Sequence, residues 1–463
     1  MAAKDITGTA GPEGTQRSAA VAQQKSSRGL GFLLATAAAE GFGDAVSRAV
    51  LPILAVSVLG LGAGFVGVLN AIGIAAFVLL GVQVGAAVDR RGQPHSAMGA
   101  ASLLRCLALL GLAAAAVGGW LSPTMLAAAA VLVGVADVVF TTAQTVLIPA
   151  VAGRRGLKHA YSRLAITGQT ASATAAAAAG AFLALLGMPL LLAAAAVAYA
   201  ASRLFQLGLP RSVRSGALGT ERQPATKREP GAEREPGADR QPGNSGLAGT
   251  GADGHQPQVR PRRAGREGFA ILRKSPALRA LTLSACLTNA AAMVGNTILP
   301  VYVLRDLSLP PAAYAVLGAF GALGAVLGAA AAPSISSRLG LRVSRAGAAV
   351  LSVPAILLAV ACTRLPGPEL VWLGLEFLLW AFLVAVAGVA GSEVLPGTVP
   401  PDRLATVGAA QRTLTLGVMP VAALAAGLLG ATAGTPPVFW LWVLLAAAAA
   451  VPIVGTRSLD RFR

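Results

Sequence analysis

The sequence predicts an all-α polytopic membrane protein, with twelve transmembrane helices in two six-helix pseudo-repeats, and three observations carry the prediction. Only 12% of the 463 residues are charged while 55% are hydrophobic, against about a quarter charged in a soluble domain. Apolar runs longer than about 18 residues recur through most of the chain, the length a helix needs to cross a hydrocarbon core. Finally, the two halves echo each other at a constant offset of 248 residues: Leu51-Pro52 with Leu299-Pro300, Gly73 with Gly321, Arg90 with Arg338, and Gly92 with Gly340. Parallel repeats of this kind place a substrate site near the bilayer midplane, between the halves.

Residues 1–28 are polar and rich in Gly, Gln and Ser, and read as a disordered cytoplasmic tail. The apolar run that follows is too long for a signal-peptide core of about 7–15 residues, so it reads as an uncleaved first span. The N-terminal bundle, 29–210, holds spans at 30–55, 63–87, 97–120, 124–148, 160–184 and 186–208. Residues 211–268 are Pro-, Gly- and Arg-rich, with REPGA repeated, and predict a disordered cytoplasmic linker. Its basic end, Arg260 to Arg266, suits a solvated charge run or anionic headgroups. The C-terminal bundle, 269–456, holds spans at 277–303, 313–334, 344–363, 369–394, 405–430 and 436–455, with 457–463 as a short tail. Arg90, Arg91, Arg154, Arg155, Lys158, Arg338, Arg342, Arg345 and Arg403 cluster on one side, against Arg305 and Arg364 on the other. The positive-inside rule then puts both termini in the cytoplasm and the chain in the cell membrane.

The net charge of +18 does not point to nucleic acid, because its Lys and Arg residues sit mainly between apolar runs, where they set topology. Cys106, Cys286 and Cys362 fall inside apolar segments with no CxxC spacing, so neither a disulfide framework nor a metal site is expected. A phosphate-binding loop, HExxH and GxSxG are all absent from the sequence, and the histidines at 95, 159 and 255 lie in cytoplasmic segments. The expectation is therefore a protein that is no enzyme and needs no cofactor.

Ionisable groups inside spans cost about 2.5–3.5 kcal/mol each on insertion scales, so each needs a partner or a function. Span one carries Glu40, Asp44 and Arg48 at i, i+4 and i+8, on one helical face. Arg48 suffices to neutralise one carboxylate, which leaves a second acid as proton carrier. Two close carboxylates oppose each other's ionisation, which favours proton exchange. Arg105 in span three and Asp137 in span four lie near mid-depth. A pair of Arg105 with Asp137 or Asp44 is expected, either as a static tether or as a link that breaks and reforms. Asp137 shares its face with Thr141, Gln144 and Thr145, a polar wall suited to substrate.

Span ten puts Trp372, Glu376 and Trp380 on one face, which suits an amphipathic cation through charge and cation–π attraction. Phe320 and Phe382 offer apolar wall. Gly318, Gly321, Gly324 and Gly328 in span eight predict close helix packing.

The loop after span two reads Gly85-Ala-Ala-Val-Asp89-Arg90-Arg91-Gly92. Asp89 just beyond a helix end suits the positive ends of neighbouring helices, and Arg90 suits acids on an adjacent helix. Together with Arg338 and Gly340 in the second half, these residues predict a conformational latch. The loop resembles the Gly-x-x-x-Asp-Arg-x-Gly signature of the major facilitator superfamily, although Gln93 and Pro94 stand where two basic residues follow in the family, and Ser337 replaces the acid in the second copy. The stretches 43–60, 272–283, 298–309 and 393–404 are similar to the macrolide- and multidrug-exporting branch. No Gly-Pro antiporter motif marks span five.

The resemblance implies a monomeric secondary transporter in the lipid bilayer, with a small-molecule substrate and the proton gradient as its energy source. Its branch implies efflux of drugs or natural products by proton antiport. A metabolite uniporter or importer of the same fold is the closest rival. A membrane sensor or scaffold would have no need of Asp44 and Asp137 at the midplane.

Overall fold

The computed structural model describes the backbone of residues 12–209, 261–400 and 403–461; side chains at 12–27, 152–159, 261–266 and scattered single positions, Asp89 among them, lie outside the description. Among the described residues the architecture is helical, with no strand. In chain order the helices are α1 (Pro12–Ile53), α2 (Ala63–Arg91), α3 (Pro94–Val117), α4 (Pro123–Leu207) and α5 (Pro261–Lys274). There follow α6 (Pro276–Val301), α7 (Pro311–Leu339), α8 (Leu341–Ala361), α9 (Glu369–Val389) and α10 (Val394–Thr398). The last are α11 (Leu404–Ala433), α12 (Thr435–Ala448) and the short α13 (Val451–Val454). Helix starts follow local chemistry. Proline opens α3, α4, α6 and α7, where its missing N–H costs nothing. Ser122 caps α4 by accepting the Met125 N–H at 3.3 Å.

The 85-residue helical stretch α4 would run to about 128 Å if straight. Yet Asp137 near its start lies 2.5 Å from Arg105, and the Tyr199 ring near its end lies 5.3 Å from the same guanidinium. It is therefore three legs, 123–149, 160–184 and 187–207, with the second reversal at Gly187, whose φ is +76°. Among the described residues, eleven helical stretches are long and apolar enough to cross a membrane. The middle leg of α4, the predicted fifth span, is not one of these eleven. It nevertheless lies against α1, where Ser172 Oγ donates to the Gly41 carbonyl at 2.8 Å.

Two boundaries differ from the sequence expectation. α1 reaches back to Pro12, into the predicted disordered tail. α5 occupies the end of the predicted linker and lies across the start of α11. A Cβ on Gly268 would come 2.7 Å from the Thr406 carbonyl, and Glu267 pairs with Arg403 at 2.7 Å. The rest of the linker, 211–260, is outside the described residues, and with it Arg260.

The 248-residue offset is written into the backbone. α2 and α7 begin and end at positions that differ by that interval. So do the two wide turns that close the first and seventh spans, Leu54–Val58 and Tyr302–Asp306, each just after a proline. Positive φ recurs at the same spacing: Gly92 (60°) with Gly340 (78°), Gly119 (72°) with Gly367 (96°), and Gly60 (63°) with Ser308 (52°). Ser308 is the one described non-glycine residue with positive φ, held where its counterpart has a glycine.

The two bundles meet most closely along α2 and α11. A Cβ on Gly67 would fall 2.9 Å from the Gly427 Cα, and one on Gly427 would fall 3.1 Å from the Gly67 Cα. Nearby, Asn70 Nδ2 donates to Thr297 Oγ1 at 3.2 Å and to the Asn296 carbonyl at 3.3 Å. These contacts lie at the end of the molecule that carries Gly60 and Ser308. Further down the same stripe of α2, a Cβ on Gly81 or Gly85 would meet nothing within 4 Å, nor would one on Gly417 of α11. The helices therefore touch at one end and part towards the end that carries Arg90 and Arg338.

Candidate functional site

Between the bundles lies a cavity of about 860 Å³, within the ordinary size range of small-molecule sites. The N-terminal bundle gives it Asp44, Ser47, Arg48, Asn70 and Asp137, whereas the C-terminal bundle gives a wall of alanines with Met293, Tyr314, Val326 and Phe377. Every carboxylate and guanidinium in the lining comes from the N-terminal bundle.

Behind that charged wall stands Arg105, fully buried. Its Nη1 donates to Glu40 Oε2, and to Asp44 Oδ1 at 3.1 Å; its Nη2 donates to Asp137 Oδ1 at 2.5 Å. The Phe140 and Tyr199 rings lie 5.4 and 5.3 Å from the guanidinium carbon, close enough for cation–π attraction. One cation thus serves three carboxylates. A buried charge costs several kcal/mol unless paired, and here the pairing leaves an excess of acid.

The three acids are not equivalent. Glu40 is 3% exposed, and Ser102 and Ser202 donate to its Oε1 at 2.5 and 2.6 Å. Gln206 Nε2 in turn donates to both serines, at 3.0 and 3.1 Å. Glu40 is therefore locked within the bundle. Asp44 and Asp137 face the cavity, their side chains 27% and 37% exposed. Asp44 also accepts the Tyr199 hydroxyl at 2.7 Å. Both aspartates make these bonds through Oδ1.

The structure brings together Glu40, Asp44, Arg105 and Asp137 of the residues singled out in the sequence. It places Arg48 in the cavity lining, and among the described residues it is Arg105, not Arg48, that holds the carboxylates. The five residues expected to touch substrate are elsewhere. Thr141, Gln144, Phe320, Glu376 and Trp380 are absent from the cavity lining. Helical spacing identified shared faces but not which face fronts the cavity. On the first leg of α4 the cavity is met by Ala130, Val133, Gly134 and Asp137, and Thr141 and Gln144 continue beyond it. On α9 the cavity side is that of Phe377, while Trp380 turns to pack edge-on against Trp442, 5.2 Å between centroids. Glu376 is fully buried, and neither carboxylate oxygen has a hydrogen-bond partner among the described residues. Phe320 lies against Gly374, 3.3 Å from where a Cβ would stand.

Of the expected latch, Gly92 ends α2 in the left-handed region and its N–H bonds the Val88 carbonyl, while Gly340 does the same for Ser336. Arg90 and Arg338 are exposed, Gly85 stands in open space, and the Asp89 side chain is outside the description.

Tyr199, Ser102, Ser202 and Gln206 escaped the sequence reading. Ser202 and Gln206 are one turn apart, three and seven residues beyond Tyr199, so polar groups repeating along one face of an apolar helix were the available signal.

A buried charge cluster beside a central cavity, between two bundles closed at one end, defines a helical membrane transporter. The sequence matches the Major Facilitator Superfamily over residues 33–419, and the chain belongs to that family. Among solved structures it is similar to the nucleoside transporter NupG (TM-score 0.65, 14% identity, 94% of this chain and 99% of that one). It is likewise similar to a D-xylose–proton symporter (TM-score 0.63, 12% identity, covering 92% and 96%). A bacterial homologue of the human lysosomal transporter Spinster, in an inward-facing state, gives a TM-score of 0.56 at 16% identity, covering 93% and 95%. At such identities the likeness shows the fold alone. No curated protein sequence matches the chain.

Proposed function

We propose that this transporter is a proton-coupled exporter of small amphipathic molecules, working by alternating access from the cell membrane with both termini in the cytoplasm. The observation that carries the reading is the division of labour around Arg105: one acid locked inside the bundle, two at the cavity surface. Asp137, the most exposed of the three, is the acid that exchanges. Protonation frees it from Arg105; a substrate cation and a proton then compete for one carboxylate, which is the requirement for antiport. The open end of the cavity carries the basic loops, so the state described faces the cytoplasm. The sequence stretches similar to multidrug exporters support efflux as the direction.

Uptake of ethidium into everted membrane vesicles tests this. Vesicles carrying the protein are expected to accumulate ethidium, and a protonophore or Asp137→Asn to abolish it. Uptake indifferent to both would remove the proton from the mechanism. A proton-driven flux in the opposite sense only would make the protein an importer.

A further inference from the structure

We infer that the cavity is built for an amphipathic zwitterion, a molecule with an ammonium and a carboxylate at one end and an apolar body at the other. The inference rests on the transporter reading above and deepens it by naming the substrate class. Arg48 lies one helical turn beyond Asp44 on α1, lines the cavity and is exposed within it. Asp44 Oδ1, the nearest acid on its own helix, is already taken by Arg105 and Tyr199. Arg48 makes no ion pair among the described residues, although it stands within electrostatic reach of Asp137. A guanidinium inside a membrane protein with no fixed carboxylate is expensive to keep, and its fork of donors fits a carboxylate in two-point fashion.

The cavity wall therefore shows both signs. Asp44 and Asp137 offer carboxylate oxygens and Arg48 offers an uncommitted cation. Opposite them, the C-terminal wall of Tyr314, Val326, Phe377 and small alanines has no charge. A simple lipophilic cation would use the aspartates and leave Arg48 unanswered, with like-charge repulsion. A simple anion would use Arg48 and meet two acids. A zwitterion satisfies both, and its body covers the apolar wall. Its ammonium still competes with the proton at Asp137, so exchange is preserved. Exchange of a net-neutral substrate for one proton moves one positive charge, so transport responds to membrane potential as well as to the pH gradient.

Three probes with one dansyl body separate the classes: Nε-dansyl-lysine is the zwitterion, dansylcadaverine lacks its carboxylate, and N-dansyl-6-aminohexanoate lacks its ammonium. Binding to the purified full-length protein is read by energy transfer from tryptophan to dansyl. The zwitterion is expected to bind at least tenfold tighter than either partner. Arg48→Gln should reduce it to the level of dansylcadaverine while leaving dansylcadaverine itself bound as tightly or more tightly, and Asp137→Asn should reduce it to the level of the aminohexanoate. Arg48→Lys should restore part of the preference, which guards against a misfolded Gln variant. Equal or tighter binding of dansylcadaverine, no binding of any probe, or an Arg48→Gln loss shared by all three overturns the inference. Because binding is measured without transport, a failure here leaves proton-driven ethidium uptake to stand or fall separately.

Discussion

The two halves of this transporter share a backbone template and almost none of its chemistry. Wide turns, left-handed residues and the whole of α2 and α7 recur at one interval. At that same interval Arg105 corresponds to Val353, Asp137 to Ala385, and Asp44 to Ala292. Glu376, a fully buried acid in a span of the second bundle, has no hydrogen-bond partner among the described residues and does not line the cavity. A duplicated scaffold needs its glycines in both copies because the turns are the same. Under the proposed proton coupling, it needs its charges in one copy only.

Perturbing equivalent positions tests that contrast. The largest effect is expected for Arg105→Met, which strands three acids. Breaking a buried ion network typically costs about 3–5 kcal/mol, so transport should vanish and the detergent-solubilised protein should melt several degrees lower, whereas Val353→Ala should shift melting only slightly. A melting point unchanged by Arg105→Met would mean the cluster is already neutral. Next comes Asp137→Asn, expected to cut proton-driven transport at least tenfold and flatten its pH profile while leaving the melting point near wild type. The counterpart Ala385→Ser should do neither.

The seam between the halves gives a third prediction. Gly427→Leu drives side-chain atoms into the Gly67 backbone and should force the closed end apart. An Asn70→Cys reporter should then react with an external, impermeant maleimide several-fold faster than in the parent. The same rate in both would show the seam to be a passive contact. The smallest effect is assigned to Glu376→Leu. With no partner for its carboxyl among the described residues, replacement by an apolar side chain should keep transport within about twofold and hold or raise stability, as removal of buried ionisable groups often does. Loss of transport would place a second proton site in the C-terminal bundle and undo the asymmetry.

The spans were legible because each is an unbroken apolar run, and the duplication because glycine and proline mark turns whatever surrounds them. The acids on α1, α3 and α4 were legible for a related reason, since charge is conspicuous in an apolar helix. Their partners were not. That Arg105 gathers three acids depends on how four helical segments pack around it, which spacing along any one of them does not encode. The residues expected to touch substrate, none of which lines the cavity, show the same limit from the other side. Glu376 and Trp380 do share a face, but Trp442, on a helix far along the chain, fills the space before it.

The uncharged wall of the cavity has a consequence for how such a protein changes over generations. Since Ala322, Ala325, Ala329 and their neighbours take no part in the ion cluster, mutations there would, under the proposed coupling, alter which molecules fit without touching the acids that exchange the proton. One half is free to drift in appetite while the other keeps the engine. Under that coupling, a lineage carrying it would acquire new cargo by single substitutions, with no intermediate that has lost its power source.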